Sequence, residues 1–197
     1  MQGEPEPPRV TAKRYFQMTE CGIIAPDDRV ELLEGLIVSM AAQSAPHAAA
    51  VHRVQLAMQA KIGTQAAIRT QMTFLAGGKS VPEPDIAVVP GKAEDYFDEH
   101  PSSAFLIVEV AFSSLIQDRL TKAAIYGRAG IPCYWIVNLR DHCIEVFRDP
   151  DRERAEYRSV SRAAGGQAVV IDAFPDVAFE AAELLPPTPI PHEHQLR

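Results

Sequence analysis

The 197-residue sequence predicts an α/β protein with a mixed central β-sheet and helices packed on it. Three observations carry this. Helix-periodic and strand-like segments follow one another in the order helix, strand, strand, strand, helix, strand, strand. Within residues 47–62, Val51, Val54, Met58 and Ile62 recur at steps of three and four, which draws one apolar stripe along a helix. Residues 104–112 (AFLIVEVAF) form an apolar run interrupted only by Glu109, as expected of a strand buried on both faces.

The elements follow in order. Residues 1–10 are rich in Pro and Glu and read as disordered, and 186–197 (PPTPIPHEHQLR) as a disordered tail, leaving 11–185 as a single domain. A short helix is expected over 11–21, ending near Gly22. Asp27-Asp28 resembles a helix cap ahead of residues 29–33. Glu34-Gly35 marks a turn, followed by a strand over 36–40. The helix from His47 ends at Gly63. A strand over 66–75 leads to a turn at Gly77-Gly78, which lacks the spacing of a phosphate loop. Residues 85–90 form a Val/Ile-rich strand, 91–103 a charged loop, and 104–112 the buried strand. A helix over 115–129 is closed by Gly130, with Pro132 just beyond. Residues 133–139 and 143–148 pair as a hairpin around Arg140-Asp141-His142, and 157–172 suggest another turning at Gly165-Gly166.

Composition bounds the setting. No apolar run reaches the ~18 residues of a membrane span, and the polar, acidic N-terminus is not a signal peptide. Cys21, Cys133 and Cys143 lack zinc-ligand spacing and read as reduced core thiols of a cytoplasmic protein. The net charge of −7 argues against a uniformly basic coat. Its distribution is uneven. Residues 35–82 hold Arg53, Lys61, Arg69 and Lys79 and no acid, whereas 83–118 hold eight acids against Lys92. An acidic centre flanked by basic stretches suits a metal site beside a phosphate-binding surface; chance clustering of exposed charge would look the same.

Glu109 is the most informative residue. A carboxylate inside a buried strand needs a counter-charge or a metal, so it reads either as half of a salt bridge or as a ligand. Asp85 opens the preceding strand, behind Val81-Pro82-Glu83-Pro84, whose prolines keep the chain extended. Alone it could be a turn residue at the strand start. If the two strands pair antiparallel, Asp85 and Glu109 fall opposite each other on one face, with Cα atoms about 5 Å apart. Carboxylates so placed repel each other and invite a divalent cation. Lys122 has two readings: a surface pair with Asp118 at i,i+4, contributing ~0.2–0.5 kcal/mol, or a cation reaching over the carboxylates to a phosphate. His47, at a helix start, is either a core histidine or a phosphate contact. Glu31 and Glu34 read as cap or solvated residues.

Here a resemblance enters. Glu31-Leu32-Leu33-Glu34-Gly35-Leu36-Ile37, His47, Pro82-Glu83-Pro84-Asp85-Ile86-Ala87-Val88-Val89, Val108-Glu109-Val110-Ala111-Phe112-Ser113 and the run Asp118-Arg119 … Lys122 … Tyr126 … Gly130-Ile131-Pro132 … Tyr134-Trp135-Ile136-Val137 resemble the Uma-type restriction endonuclease family of the PD-(D/E)XK nuclease superfamily. The resemblance implies a restriction-endonuclease-like core, Asp85 and Glu109 as metal ligands, and Lys122 as the catalytic lysine. The superfamily pattern has its lysine two residues after the second acid. Here that position is Ala111, so Lys122 would be a lysine displaced to the following helix.

The expected function is Mg²⁺- or Mn²⁺-dependent hydrolysis of phosphodiester bonds in nucleic acid, with DNA the favoured substrate. Asp85 and Glu109 would hold the metal with the Val110 carbonyl as third ligand, Lys122 would stabilise the transition state, and His47, Arg53 and Lys61 would contact phosphates. A homodimer would supply two sites for two strands. Two alternatives stand: a catalytically inactive nuclease-fold binding or scaffold protein, and a structural domain whose Asp85 and Glu109 are separately salt-bridged.

Overall fold

The computed structural model describes residues 9–187. Its centre is a six-stranded sheet made of β3 (Ala67–Thr70), β4 (Ile86–Val89), β5 (Leu106–Ala111), β6 (Cys133–Asn138), β7 (Cys143–Asp151) and β8 (Glu156–Ala163), in that spatial order. The β5–β6 pair is parallel and the other pairs are antiparallel, so the sheet is mixed, as expected. A parallel pair needs a crossover, and the helix of residues 115–129, here α3, supplies it.

Two hairpins flank the sheet: β1 (Val30–Leu33) with β2 (Leu36–Ser39), and β9 (Ala168–Ile171) with β10 (Phe174–Glu180). The first corrects the expected helix cap at Asp27-Asp28. The apolar run behind it is too short to sustain a helix, and Glu34 and Gly35, both at positive φ, turn it back on β2. Asp28 instead accepts a hydrogen bond from the Ala25 N–H. The second corrects the hairpin expected over 157–172. The chain does turn after Ala164, but β8 pairs with β7 while β9 leaves the sheet to pair with β10. Val169 and Ile171 can then be buried in the core. The strand expected over 66–75 is regular only in β3. Cys133 and Cys143 are buried free thiols, but Cys21 is exposed, which corrects its expected place in the core.

Helix α2 (Ala45–Ile62) is capped by the Ser44 hydroxyl and covers one sheet face with Val51, Val54, Met58 and Ile62. On that face it meets Ile86, Val88, Leu106, Val108, Trp135 and Val137. Helix α3 covers the other face, where Ile125 and Tyr126 meet Ala87, Val89, Ile107, Tyr134 and Ile136. Side chains alternate along a strand, so Glu109 shares the α3 face with Ile107 and Ala111. Helix α1 (Ala12–Glu20) packs Tyr15 in a small cluster with Leu32 and Val81. A final turn of helix, α4 (Ala181–Leu184), closes the α2 side.

The expected disordered ends lie largely outside the described residues. At the described edge, the Val10 N–H donates to the Gly35 carbonyl. No helix among the described residues is long and apolar enough to cross a membrane.

Candidate active site

The β4–β5 register pairs Ile86 with Val108, Ala87 with Ile107 and Val88 with Leu106. One more step sets Asp85 against Glu109, the opposition the sequence suggested. Both residues are buried. They line an open cleft of about 170 Å³ together with Glu31, His47, Glu83, Val110, Asp118 and Lys122.

Asp85 is held from three sides. Its Oδ2 accepts from the Val110 N–H at 2.8 Å and lies 3.2 Å from His47 Nε2. Its Oδ1 accepts from the Gln71 amide at 3.0 Å. Burial raises the Asp85 carboxyl, but the His47 contact, the Val110 N–H and Gln71 together hold it below the usual carboxylate value. His47 stands in the first turn of α2, which carries it to the cleft rim. Burial lowers its ring pKa, and the Asp85 carboxylate and the Val110 backbone more than reverse that.

Glu109 is 4 % exposed. Its Oε1 accepts from Lys122 Nζ at 3.0 Å and from the Tyr126 hydroxyl at 2.7 Å. Burial pushes its carboxyl well above the ordinary value. The Lys122 charge opposes that rise, while Asp85, Asp118 and Glu31 add to it.

Lys122 is 7 % exposed and is no surface residue. It reaches the cleft because α3 is not uniform. Residues Leu115–Gln117 and Ala123–Ala129 are α-helical, but Asp118–Lys122 form a π turn, in which the Ala123 N–H reaches the Asp118 carbonyl. A π turn widens the helix locally and shifts the phase of its faces. Asp118 and Lys122 are both buried there. The expected surface pair between them is therefore corrected. Asp118 accepts from the Ser114 hydroxyl at 2.6 Å, and Lys122 bonds Glu109 and, at 3.2 Å, Glu31 Oε1. Burial lowers the lysine pKa, yet Glu109, Glu31 and Asp118 outweigh it and hold the ammonium charged.

Glu31 corrects a second expectation, since it is neither cap nor solvated. It is buried on β1, and Oε1 accepts from the Glu83 N–H at 2.7 Å as well as from Lys122. Glu34 stays at the surface, paired with Arg128. Sequence reasoning also passed over Tyr126 and Gln71 as site residues. Tyr126 lies four residues after Lys122, which puts the two on one helix face, and that spacing was the available signal. Gln71 carried none, because its side chain reaches Asp85 from an irregular segment after β3, at φ 52°.

Arg53 and Lys61 do not line the cleft. They lie further along α2, where Arg53 Nη2 donates to the Ala182 carbonyl at 3.0 Å and Lys61 Nζ to the Ala178 carbonyl at 2.8 Å. Lys61 also pairs with Glu183 and sits over the Phe179 ring.

The donor set suits a hard divalent cation in kind, since such ions take carboxylate, carbonyl and water oxygens. Five carboxylates (Glu31, Glu83, Asp85, Glu109 and Asp118) face the cleft against Arg29, Lys122 and His47. That surplus of negative charge contributes to the raised carboxyls of Glu109 and Asp118. Among the described residues, no three His, Cys, Asp or Glu side chains are grouped to hold a metal ion. A third protein ligand beside Asp85 and Glu109 would be a backbone oxygen such as that of Val110.

Comparison with known proteins gives a family and a fold. Residues 12–183 match the model of the family Uma2, described as "Putative restriction endonuclease". A crystal structure described as a "putative nuclease belonging to DUF820", from Anabaena variabilis, superposes with a TM-score of 0.70 at 14% identity, covering 89% of this chain and 97% of that one. At that identity the likeness speaks for the fold. No curated protein matches.

Proposed function

The chain belongs to the Uma2 family, and from that premise we propose that it is a divalent-metal-dependent endonuclease that hydrolyses phosphodiester bonds in DNA. The observation that carries the reading is the contact of Lys122 Nζ with Glu109 Oε1, 3.0 Å apart in a cleft that Asp85 shares. It restores, from a helix, the cation beside two acids that Ala111 removes from the strand.

Asp85, Glu109 and the Val110 carbonyl would hold Mg²⁺ or Mn²⁺, which when bound supplies a water of lowered pKa and neutralises phosphate charge. The chain's own groups do the rest. Gln71 and the Val110 N–H aim the Asp85 carboxylate, and Tyr126 aims that of Glu109. Lys122, kept charged by Glu31 and Glu109, stabilises charge developing on the phosphoryl oxygens. His47 stands at the cleft rim, where a protonated ring would meet a phosphate. Arg53 and Lys61 would extend backbone contacts along α2.

The test is cleavage of supercoiled plasmid with Mn²⁺ by the parent, Asp85→Ala, Glu109→Ala and Lys122→Ala. The parent should cut, the two acid variants should not, and Lys122→Ala should be slower by about 10²–10³. Equal cutting by parent and Lys122→Ala would remove the lysine from the chemistry. One observation favours a second reading, a binding or scaffold protein without activity. Asp85 and Glu109 already have protein partners, the His47 ring and the Lys122 ammonium. DNA binding with no cutting by the parent in either metal would select it.

A further inference from the structure

The two edges of the central sheet are finished differently. At one edge, β3 has four residues, all at least partly buried. At the other, β8 runs for eight residues, contains no proline, and is exposed throughout 158–162. A long unpaired strand offers a row of N–H and C=O groups to another chain. Beside it, on the α3 face, lies apolar surface: Ile116 and Leu120, one turn apart, are 76% and 68% exposed, and Val160 of β8 is 56% exposed. Leu120 and Val160 border a shallow groove of about 290 Å³ floored by Ala123, Phe147 and Tyr157.

We propose that β8 pairs antiparallel with β8 of a second copy of this chain, about a two-fold axis through Ser159, fusing two six-stranded sheets into one. The charges on the strand favour a second copy as partner, and this register over those centred on the two neighbouring residues. With Ser159 on the axis, Glu156 faces the partner's Arg162, and symmetry repeats the pair. Moving the axis to Val160 sets Arg158 against the partner's Arg162, and moving it to Arg158 sets that residue against itself. Like charges directly opposed across a strand pair are unfavourable. Registers between these turn the two α3 faces to opposite sides of the sheet, which separates the apolar surfaces. Only an axis normal to the sheet brings Leu120 and Val160 of both copies to one seam, as a self-complementary interface requires. Glu156 and Arg162 are available for this. Their intrachain ion pairs, with Arg154 at 3.7 Å and Glu145 at 3.5 Å, leave their side chains 54% and 60% exposed. The pairing is independent of any nuclease chemistry.

The test is sedimentation equilibrium across a concentration series. The parent should be a dimer. Glu156→Arg and Arg162→Glu should each dissociate at least tenfold more readily, since each creates two like-charge oppositions. Mixing those two variants should restore a one-to-one dimer, because each then offers the charge the other lacks. Leu120→Asp should also weaken the dimer, with no rescue by mixing. If Arg162→Glu fails to fold beside Glu145, Glu156→Arg and Leu120→Asp still decide the matter, since both must weaken association. A monomeric parent, or a dimer indifferent to Glu156→Arg and Leu120→Asp, would overturn the proposal. So would two folded single variants that stay monomeric when mixed.

Discussion

Lys122 and Glu109 come from different elements, a π turn and a buried strand, and meet at 3.0 Å inside the protein with Glu31 as the lysine's second partner at 3.2 Å. The contact makes Lys122 structural whatever else it does. Taking one partner from a buried ion pair leaves the other charge unpaired and costs about 3–5 kcal/mol. Lys122→Met should therefore destabilise by several kcal/mol at pH 8 in urea unfolding. A surface pair would cost under ~1 kcal/mol, so a loss that small would contradict the burial. The deficit should shrink as pH falls and Glu109, already raised by burial, takes up a proton.

Asp118 gives a pH signature. Its carboxyl is pushed up to about 6 from 3.8, first by burial and then by Asp85 and Glu31, against the pull of Lys122 and the Ser114 hydroxyl. A group whose folded pKa is raised stabilises the fold most below its unfolded pKa. That contribution is lost as pH rises through the folded value, here between about 4 and 6. Asp118→Asn should remove this slope. It should exceed the parent in stability at pH 8 by about 1–3 kcal/mol and match it near pH 4. Parallel stability curves for the two proteins across that range would refute the assignment.

Much of this arrangement was readable in the residues, and the unread parts share a cause. The apolar run around Glu109 and the prolines before Asp85 contain the strand pair and its register, because both signals are local. The stripe through Val51 and Ile62 contains α2 for the same reason. Glu31 was misread because its partner, Lys122, is 91 positions away, and nothing local distinguishes a buried acid on a short strand from a solvated one. The Asp118–Lys122 spacing was misread because it suits a surface pair on a regular α-helix, and the π turn that buries both ends is a tertiary effect. The β9–β10 hairpin and α4 escaped because their apolar residues are spent covering the α2 side of the core.

Arg53 and Lys61 yield a prediction with two arms. They clip residues 178–183 to α2 through the Ala178 and Ala182 carbonyls and the Glu183 carboxylate. Changing both to Ala should speed amide hydrogen exchange around 178–184, because those carbonyls lose their donors. If the proposed phosphate contacts exist as well, the same double variant should flatten the salt dependence of DNA binding by about two in slope, near 0.9 for each phosphate released. Faster exchange with an unchanged slope would leave them a structural role alone.

The cation itself can be tested without any cleavage. A ligand that binds only the folded state stabilises it by mass action, by about 2.7 kcal/mol at a hundredfold excess over its dissociation constant. Titrating Mn²⁺ should therefore raise the melting temperature of the parent. Asp85→Ala will start lower, since it forfeits the contacts with Val110, Gln71 and His47. The quantity to compare is the rise on adding metal, which should vanish in Asp85→Ala and in Glu109→Ala. His47→Ala sharpens the test. It removes the ring that competes for Asp85 Oδ2, so its metal-induced rise should equal or exceed the parent's. A ring needed to position Asp85 would make that rise smaller. Absence of any rise in the parent at millimolar Mn²⁺ would leave Asp85 and Glu109 with His47 and Lys122 as their structural partners alone.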